Sequence, residues 1–230
     1  LSGSKSIGIY ASNGVISNEN LGILNLTGNN SVGIYAVNGS IVKNDSTSSI
    51  TVGTNGVGIY AEGYKDGAAQ AFGNGTLDIT NNGTITAANG SGAIGIYVNN
   101  NSTGVRTDAK LDISNGTINV QNSENGVGIY MENGTLTGTA PTEISVGKNG
   151  VGLYLKNSDV NLSNIILNLN GDNALGVYLD GATDFNGSGT FNIDGKNVIM
   201  YNMITVGTVN ANLSIGTITP GSSYFIGSRY

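Results

Sequence analysis

The run GVGIYMENGT at residues 126–135 has near copies throughout the chain: SIGIYASNGV (6–15), SVGIYAVNGS (31–40), GVGIYAEG (56–63), AIGIYVNNN (93–101), GVGLYLKNS (150–158) and ALGVYLDGA (174–182). A catalytic motif is needed once per site, so a sevenfold one points to architecture. The motif tyrosines are Tyr10, Tyr35, Tyr60, Tyr97, Tyr130, Tyr154 and Tyr178, and a degenerate eighth copy, NVIMYN, ends near Tyr201. Successive spacings are 25, 25, 37, 33, 24, 24 and 23 residues. A period of roughly 24 with two longer members marks a solenoid whose rungs tolerate loops on one side.

Each period holds two further short runs of strand-forming residues. GVIS (14–17) and GILNLT (22–27) follow Tyr10, while SIVK (40–43) and SITV (49–52) follow Tyr35. Later periods repeat the scheme with TLDIT and GTITA, then KLDIS and GTINV. Three strands of four to six residues, punctuated by Asn, Gly and Ser, form one coil of a parallel β-helix. A helical solenoid would need longer runs with 3.6-residue periodicity, and these are missing. The expected fold is therefore all-β: one β-solenoid segment over 1–230 with about eight or nine rungs.

Strict pleat alternation assigns faces to the motif strand. Positions three before, one before and one after the tyrosine are apolar, as in Val127, Ile129 and Met131 or Ile7, Ile9 and Ala11. That set is expected inside, with the glycine and the tyrosine sharing the outer face. Eight tyrosines on rungs ~4.8 Å apart would then form a column of about 34 Å beside a trough of glycines. Three residues after each motif tyrosine stand Asn13, Asn38, Gly63, Asn100, Asn133, Asn157 and Gly181. Asn and Gly accept positive φ at least cost, so this position is expected to be a left-handed corner. Stacked asparagines can also bond to one another along the axis.

Composition narrows the function classes. The net charge is −6 and only 10% of residues are charged, with no cluster of Lys or Arg, so nucleic acid is a poor partner. There is no cysteine and no histidine, which rules out disulfides, thiolate metal sites and a Ser-His-Asp triad. No apolar run is long enough for a membrane-spanning helix, and residue 1 does not begin a signal-peptide pattern, as expected of a piece of something larger. Recurrent short runs of Val, Ile and Leu argue against disorder.

The repeated [SG]-[VI]-G-[IL]-Y run followed by N-G-[ST], in a cysteine-free chain rich in Gly, Asn, Ser and Thr, resembles the passenger domain of monomeric (type V) autotransporters. It is most similar to the giant fusobacterial outer-membrane adhesins of the RadD type and their lectin-like relatives. The resemblance covers essentially the whole chain. It implies a right-handed β-helix displayed on the bacterial cell surface, anchored by a C-terminal β-barrel translocator outside this sequence. It also implies coaggregation or host and glycan binding, through a cell-surface glycan or protein receptor. The family has no motif that assigns a binding residue here.

Candidate ligand-binding residues come from the two long periods, with insertions near 62–73 and 99–110. Loops on a rigid solenoid are where binding residues usually sit. The first insertion carries Tyr64, Lys65, Asp66 and Phe72, and the second carries Arg106, Asp108 and Lys110; tolerated neutral insertion is the plainer reading of both. The tyrosine column is either a glycan-binding strip or a self-stacked structural ladder. Asp78 and Asp112 occupy matching places in TLDIT and KLDIS, and stacked carboxylates about 5 Å apart would resemble a retaining glycosidase; no aromatic cleft surrounds them, so the chain is read as a non-enzyme. The aspartates, Asp180 and Asp184 among them, form no calcium-roll rhythm, and neither metal nor cofactor is expected. The expected function is that of a monomeric surface adhesin segment, with a purely structural stalk as the alternative and a polysaccharide-degrading enzyme as a remote one. Residues 202–230 are expected to form an irregular rung or a cap.

Overall fold

The computed structural model describes residues 1–12, 18–63, 76–100 and 108–229. They form a parallel β-solenoid of about eight turns, without a helix. One wall is a nine-stranded sheet built by the motif itself. Its strands are β1 (Ile7–Ser12), β4 (Val32–Val37), β7 (Val57–Glu62), β11 (Ile94–Asn99), β15 (Val127–Glu132), β18 (Val151–Lys156), β20 (Leu175–Gly181), β22 (Val198–Thr205) and β24 (Tyr224–Arg229).

Two further walls complete each early rung. The second holds β2 (Asn18–Asn20), β5 (Ile41–Asn44), β8 (Leu77–Asn81), β12 (Ala109–Asp112) and β16 (Thr135–Gly138). The third holds β3 (Ile23–Leu26), β6 (Ser49–Val52), β9 (Thr84–Ala87), β13 (Thr117–Val120) and β17 (Thr142–Val146). A short pair, β10 (Gly90–Ser91) with β14 (Ser123–Glu124), lies beside them. From residue 159 the second and third walls fuse, because β19 (Asp159–Leu169), β21 (Asp184–Ile193) and β23 (Val209–Ile218) each run through both. The register shifts between Leu162 and Ile165, and Asn164 there has φ 57°, so the fused strand bends where earlier rungs turned.

Aliphatic residues from all walls fill the interior: Ile96 and Val98 from β11, Leu111 from β12 and Ile118 from β13 are all fully buried. The motif strand, however, departs from simple alternation. Along Val127, Gly128, Ile129, Tyr130 and Met131 the burial runs half-buried, buried, buried, half-buried, buried. Glycine thus faces the core beside Ile129, and the outer neighbour of the tyrosine is the residue three before it. A Cβ on Gly128 would lie 2.5 Å from the carbonyl oxygen of Gly152 on the next rung and 2.5 Å from Ile144 Cγ2 on the opposite wall. The missing side chain is the socket for that isoleucine. No glycine trough lies on the outside.

Left-handed residues mark two corners of the rung. Three after the tyrosine, Asn38, Asn133, Asn157 and Gly181 have φ of 56°, 57°, 48° and 60°. Gly63 and Asn100, at the same position in the two long periods, are buried. Asn13 lies outside the described residues. The second corner is more regular: Lys5, Asn30, Asn55, Gly92, Asn125, Asn149, Asn173 and Asn197 all have φ between 52° and 67°. Each of the first seven stands five residues before a motif tyrosine.

Asn197 by the same count points to residue 202, and the structure agrees. Asn202 pairs with Tyr178, while Tyr201 pairs with Val177 and packs against the core. The tyrosine column therefore has seven members, and the eighth copy is displaced by one residue from the alignment on Tyr201. Residues 198–229 continue the stack, with β22, β23 and β24 paired to the rungs before them.

Asparagines stack and bond along the axis inside the second wall. Asn20 Nδ2 donates to Asn44 Oδ1 at 2.9 Å, and Asn44 Nδ2 donates to Asn81 Oδ1 at 2.8 Å, all three buried. Ser48 Oγ donates a further bond to Asn44 Oδ1 at 2.6 Å. Inside a rung such amides are tolerated because each satisfies the next.

Candidate functional site

The tyrosine wall was the most conspicuous candidate. Its seven rings stack in six consecutive steps, with centroids 4.7 to 5.7 Å apart and interplanar angles of 3° to 27°. Both faces of Tyr35, Tyr60, Tyr97, Tyr130 and Tyr154 are thus covered by neighbouring rings, leaving their edges and hydroxyls to solvent. Sugars stack on ring faces, so the column does not offer the platform that an aromatic glycan strip needs. The hydroxyls are held from the adjacent polar column: Tyr60 donates to Glu62 Oε2 at 3.2 Å, Tyr130 donates to Glu132 Oε2 at 3.0 Å, and Asn99 Nδ2 donates to the Tyr97 oxygen at 3.3 Å. Lys156 closes that row with an ion pair to Glu132 at 2.9 Å.

Burial in the stack, followed by the negative charge of Glu62, holds the Tyr60 phenol above its ordinary range. Burial and the hydrogen bond to Glu132 do the same for Tyr130, and burial raises Tyr154. A raised folded-state value means that the unfolded chain loses these protons first. The associated stability is fully present below the unfolded value near 10 and is lost as pH rises through the folded one. In an alkaline titration, a subset of phenols should ionise late and together with loss of the β-sheet circular dichroism signal. Uniform ionisation at the free-tyrosine value with the sheet intact would contradict the stacked column.

Among the loop residues singled out in the sequence, Tyr64, Lys65, Asp66, Phe72 and Arg106 lie outside the described residues. Asp108 is half-buried just ahead of β12, and Lys110 is exposed on it. The carboxylate pair proposed from TLDIT and KLDIS does not form. Asp78 pairs with Lys110 and Asp112 pairs with Thr80, because the two strands stack two residues out of the matching seen in the letters. Asp112 is also engaged locally, its Oδ1 accepting from Ser114 N at 2.9 Å and Ser114 Oγ at 2.6 Å. Asp78 and Asp112 are therefore not stacked directly on adjacent rungs.

The outer surface of the bent, fused wall is where polar groups converge. Successive rungs place Lys110, Thr135, Asp159 and Asp184 in one column. Two residues along the strands runs a second column, Thr137, Asn161, Asn186 and Asn210. Between these columns, over the backbone of Val160 and Phe185, lies an open groove of about 200 Å³, bounded at its far rung by Thr208. A second furrow of about 490 Å³ separates the asparagines from Ser163, Ser188 and Asn212. The geometry is held from rung to rung: Asp184 Oδ1 accepts from Thr208 N at 2.7 Å, and Asn186 Nδ2 reaches Asn161 Oδ1 at 3.5 Å. Of the residues named in the sequence, Asp78, Lys110 and Asp184 fall in the first column and Asp112 in the second, beside Thr137. The rest could be found only once the register of β19, β21 and β23 was known.

The groove is rimmed by amides, hydroxyls and the carboxylates of Asp159 and Asp184, and most of its exposed lining is carbon. Among the described residues there is no group of three or more acidic, His or Cys side chains placed to hold a metal ion. No family model, no curated protein and no solved structure matches this chain.

Proposed function

We propose that this chain is a rod-like segment of a bacterial surface adhesin, carried outward by an autotransporter and contacting partner cells through its lateral faces. The observation that carries this reading is the unbroken rung-to-rung register of the motif wall from β1 to β24, which makes a stiff support with polar, weakly charged sides. The motif resemblance supplies the remaining support: extracellular placement, outer-membrane anchoring by a β-barrel outside this sequence, monomeric state, and a cell-surface glycan or protein as receptor. Nothing in this role requires catalysis, and the chain is read as a non-enzyme.

The stalk alternative draws on a specific observation. The tyrosine column and the buried asparagine ladder spend their bonding capacity within the rod, which is what a pure spacer would show. Surface display separates the readings. Fused to a β-barrel translocator on a non-adherent host, residues 1–230 should raise attachment to bacterial or epithelial cells above that of the translocator alone. Attachment equal to the translocator alone would leave the spacer as the function of this segment. Removing residues 64–75 from the displayed chain then tests whether the first insertion contributes.

A further inference from the structure

We infer that the tyrosine column is a one-electron relay along the rod, which takes an oxidising equivalent from an oxygen-centred radical at one ring and passes it, ring to ring, to a hydrogen-atom donor at another. The inference goes beyond the adhesin reading and does not depend on it. Three observations carry it: contact, composition and proton acceptors.

The rings are in continuous contact. From Tyr10 to Tyr178 every step is 4.7 to 5.7 Å between centroids, and five of the six interplanar angles are 17° or less. Electron transfer between aromatic rings is fast at contact and falls steeply with separation, so each phenol is a stepping stone for the next. Six rung steps of ~4.8 Å carry the column over roughly 29 Å, a span that a single tunnelling step covers poorly. β22 puts Asn202 in the next place, so the relay ends at Tyr178.

Composition makes the phenols the point of attack. The chain has no cysteine and no tryptophan, and of the side chains that remain the phenol gives up one electron most easily. The column rings are only half-buried from Tyr35 to Tyr178, so an oxidant in solution reaches their edges.

Proton acceptors stand where the chemistry needs them. A phenol that loses an electron becomes a strong acid and must shed its proton. Tyr60 donates to Glu62 Oε2 at 3.2 Å and Tyr130 donates to Glu132 Oε2 at 3.0 Å, so at these two rings a carboxylate is already in line. The steps balance. A peroxyl radical takes one electron and one proton from a column phenol and leaves as a hydroperoxide, and the ring becomes a neutral tyrosyl radical. The neighbouring phenol supplies the electron that refills it. That neighbour's proton passes to its carboxylate or to water, while the refilled ring takes a proton back. At the last ring a hydrogen-atom donor, such as a free phenol, restores the tyrosine. The net change is one hydrogen atom moved from donor to peroxyl radical.

The test uses the full 230-residue chain. A ruthenium polypyridyl photo-oxidant is attached through Ser12→Cys, two residues beyond Tyr10 on β1, and Tyr178→aminotyrosine supplies an easily oxidised sink at the far end. A flash with a sacrificial electron acceptor generates the oxidant, and transient absorption follows the aminotyrosyl radical. That radical should appear at position 178 with a yield independent of protein concentration, and more slowly in heavy water than in light water. Tyr97→Phe/Tyr130→Phe keeps both rings for stacking but removes their phenols. It should lose most of the signal at position 178 with a near-unchanged melting temperature, whereas a merely structural column would show equal signal. Tyr201→Phe, off the column, should leave the signal unchanged. The inference is overturned by no radical at position 178, by a yield that falls on dilution, by equal rates in the two solvents, or by full yield in the double phenylalanine variant.

Discussion

Replacing Gly128 with valine should destabilise the solenoid by more than about 3 kcal/mol, the high end for overpacking a core. The first added carbon would meet two groups that cannot yield separately: the Gly152 carbonyl oxygen, which belongs to the sheet ladder, and Ile144 Cγ2, which is locked in the opposite wall. Relief requires the motif wall to move away from the third wall across at least two rungs. In a repeat array such a defect need not unfold every rung, because each contacts chiefly its neighbours. Amide hydrogen exchange should therefore rise first in β15 and β18, with a lowered or split thermal transition. Gly22→Ala supplies the contrast. A Cβ there meets nothing within 4 Å, so the effect should stay within about 0.5 kcal/mol. Equal melting temperatures for Gly128→Val and wild type would show that the motif glycine does not face the core.

The second large effect is expected at Asn44. Its amide accepts from Asn20 and Ser48 and donates to Asn81, with no exposed surface. Alanine would leave the Asn20 and Asn81 amides facing a void where water has little access. Each orphaned buried group costs roughly 1–3 kcal/mol, so Asn44→Ala should lose about 3 kcal/mol in all. Asn25→Ala, on an exposed outward position of β3, is the control. A variant of Asn44 that melts with wild type would mean that the ladder is not closed from rung to rung.

Both predictions turn on contacts between residues distant in sequence. The repeat, its three strands and the tyrosine ladder were legible because identical residues recur at the period that parallel stacking demands. Inward glycine was not, since an alternating pleat assigns Gly and Tyr to the same side. What breaks the alternation is the isoleucine on the opposite wall, and that neighbour is distant in sequence. Tyrosine is the most conspicuous letter in the motif, yet in the eighth copy Asn202 takes its place in the column and Tyr201 does not. The corner five residues earlier, running Lys5, Asn30, Asn55, Gly92, Asn125, Asn149, Asn173 and Asn197, was visible in the chain and would have set the eighth rung on Asn202.

The site shows the same limit more sharply. Asp78 and Asp112 look equivalent in TLDIT and KLDIS, yet the insertion between them moves the second strand by two residues against the first. The groove residues lie in DVNLSN, DFNGSG and TVNANL, which share a polar-apolar alternation but no obvious motif. They become one surface because parallel pairing stacks β19, β21 and β23 in register. Function in such a rod is legible as departures from the repeat, once register says which departures are neighbours.

Register is therefore the central claim, and engineered cysteines test it in a chain that has none of its own. Tyr178→Cys combined with Asn202→Cys places two thiols on adjacent strands, on the same outer face and within reach of a disulfide. Tyr178→Cys combined with Tyr201→Cys places them on opposite sides of the motif wall. Under mild oxidation the first pair should cross-link rapidly in the folded protein and the second should not. Preferential cross-linking of the 178/201 pair, or of neither, would contradict the stacked register on which the corners, the tyrosine column and the groove all depend.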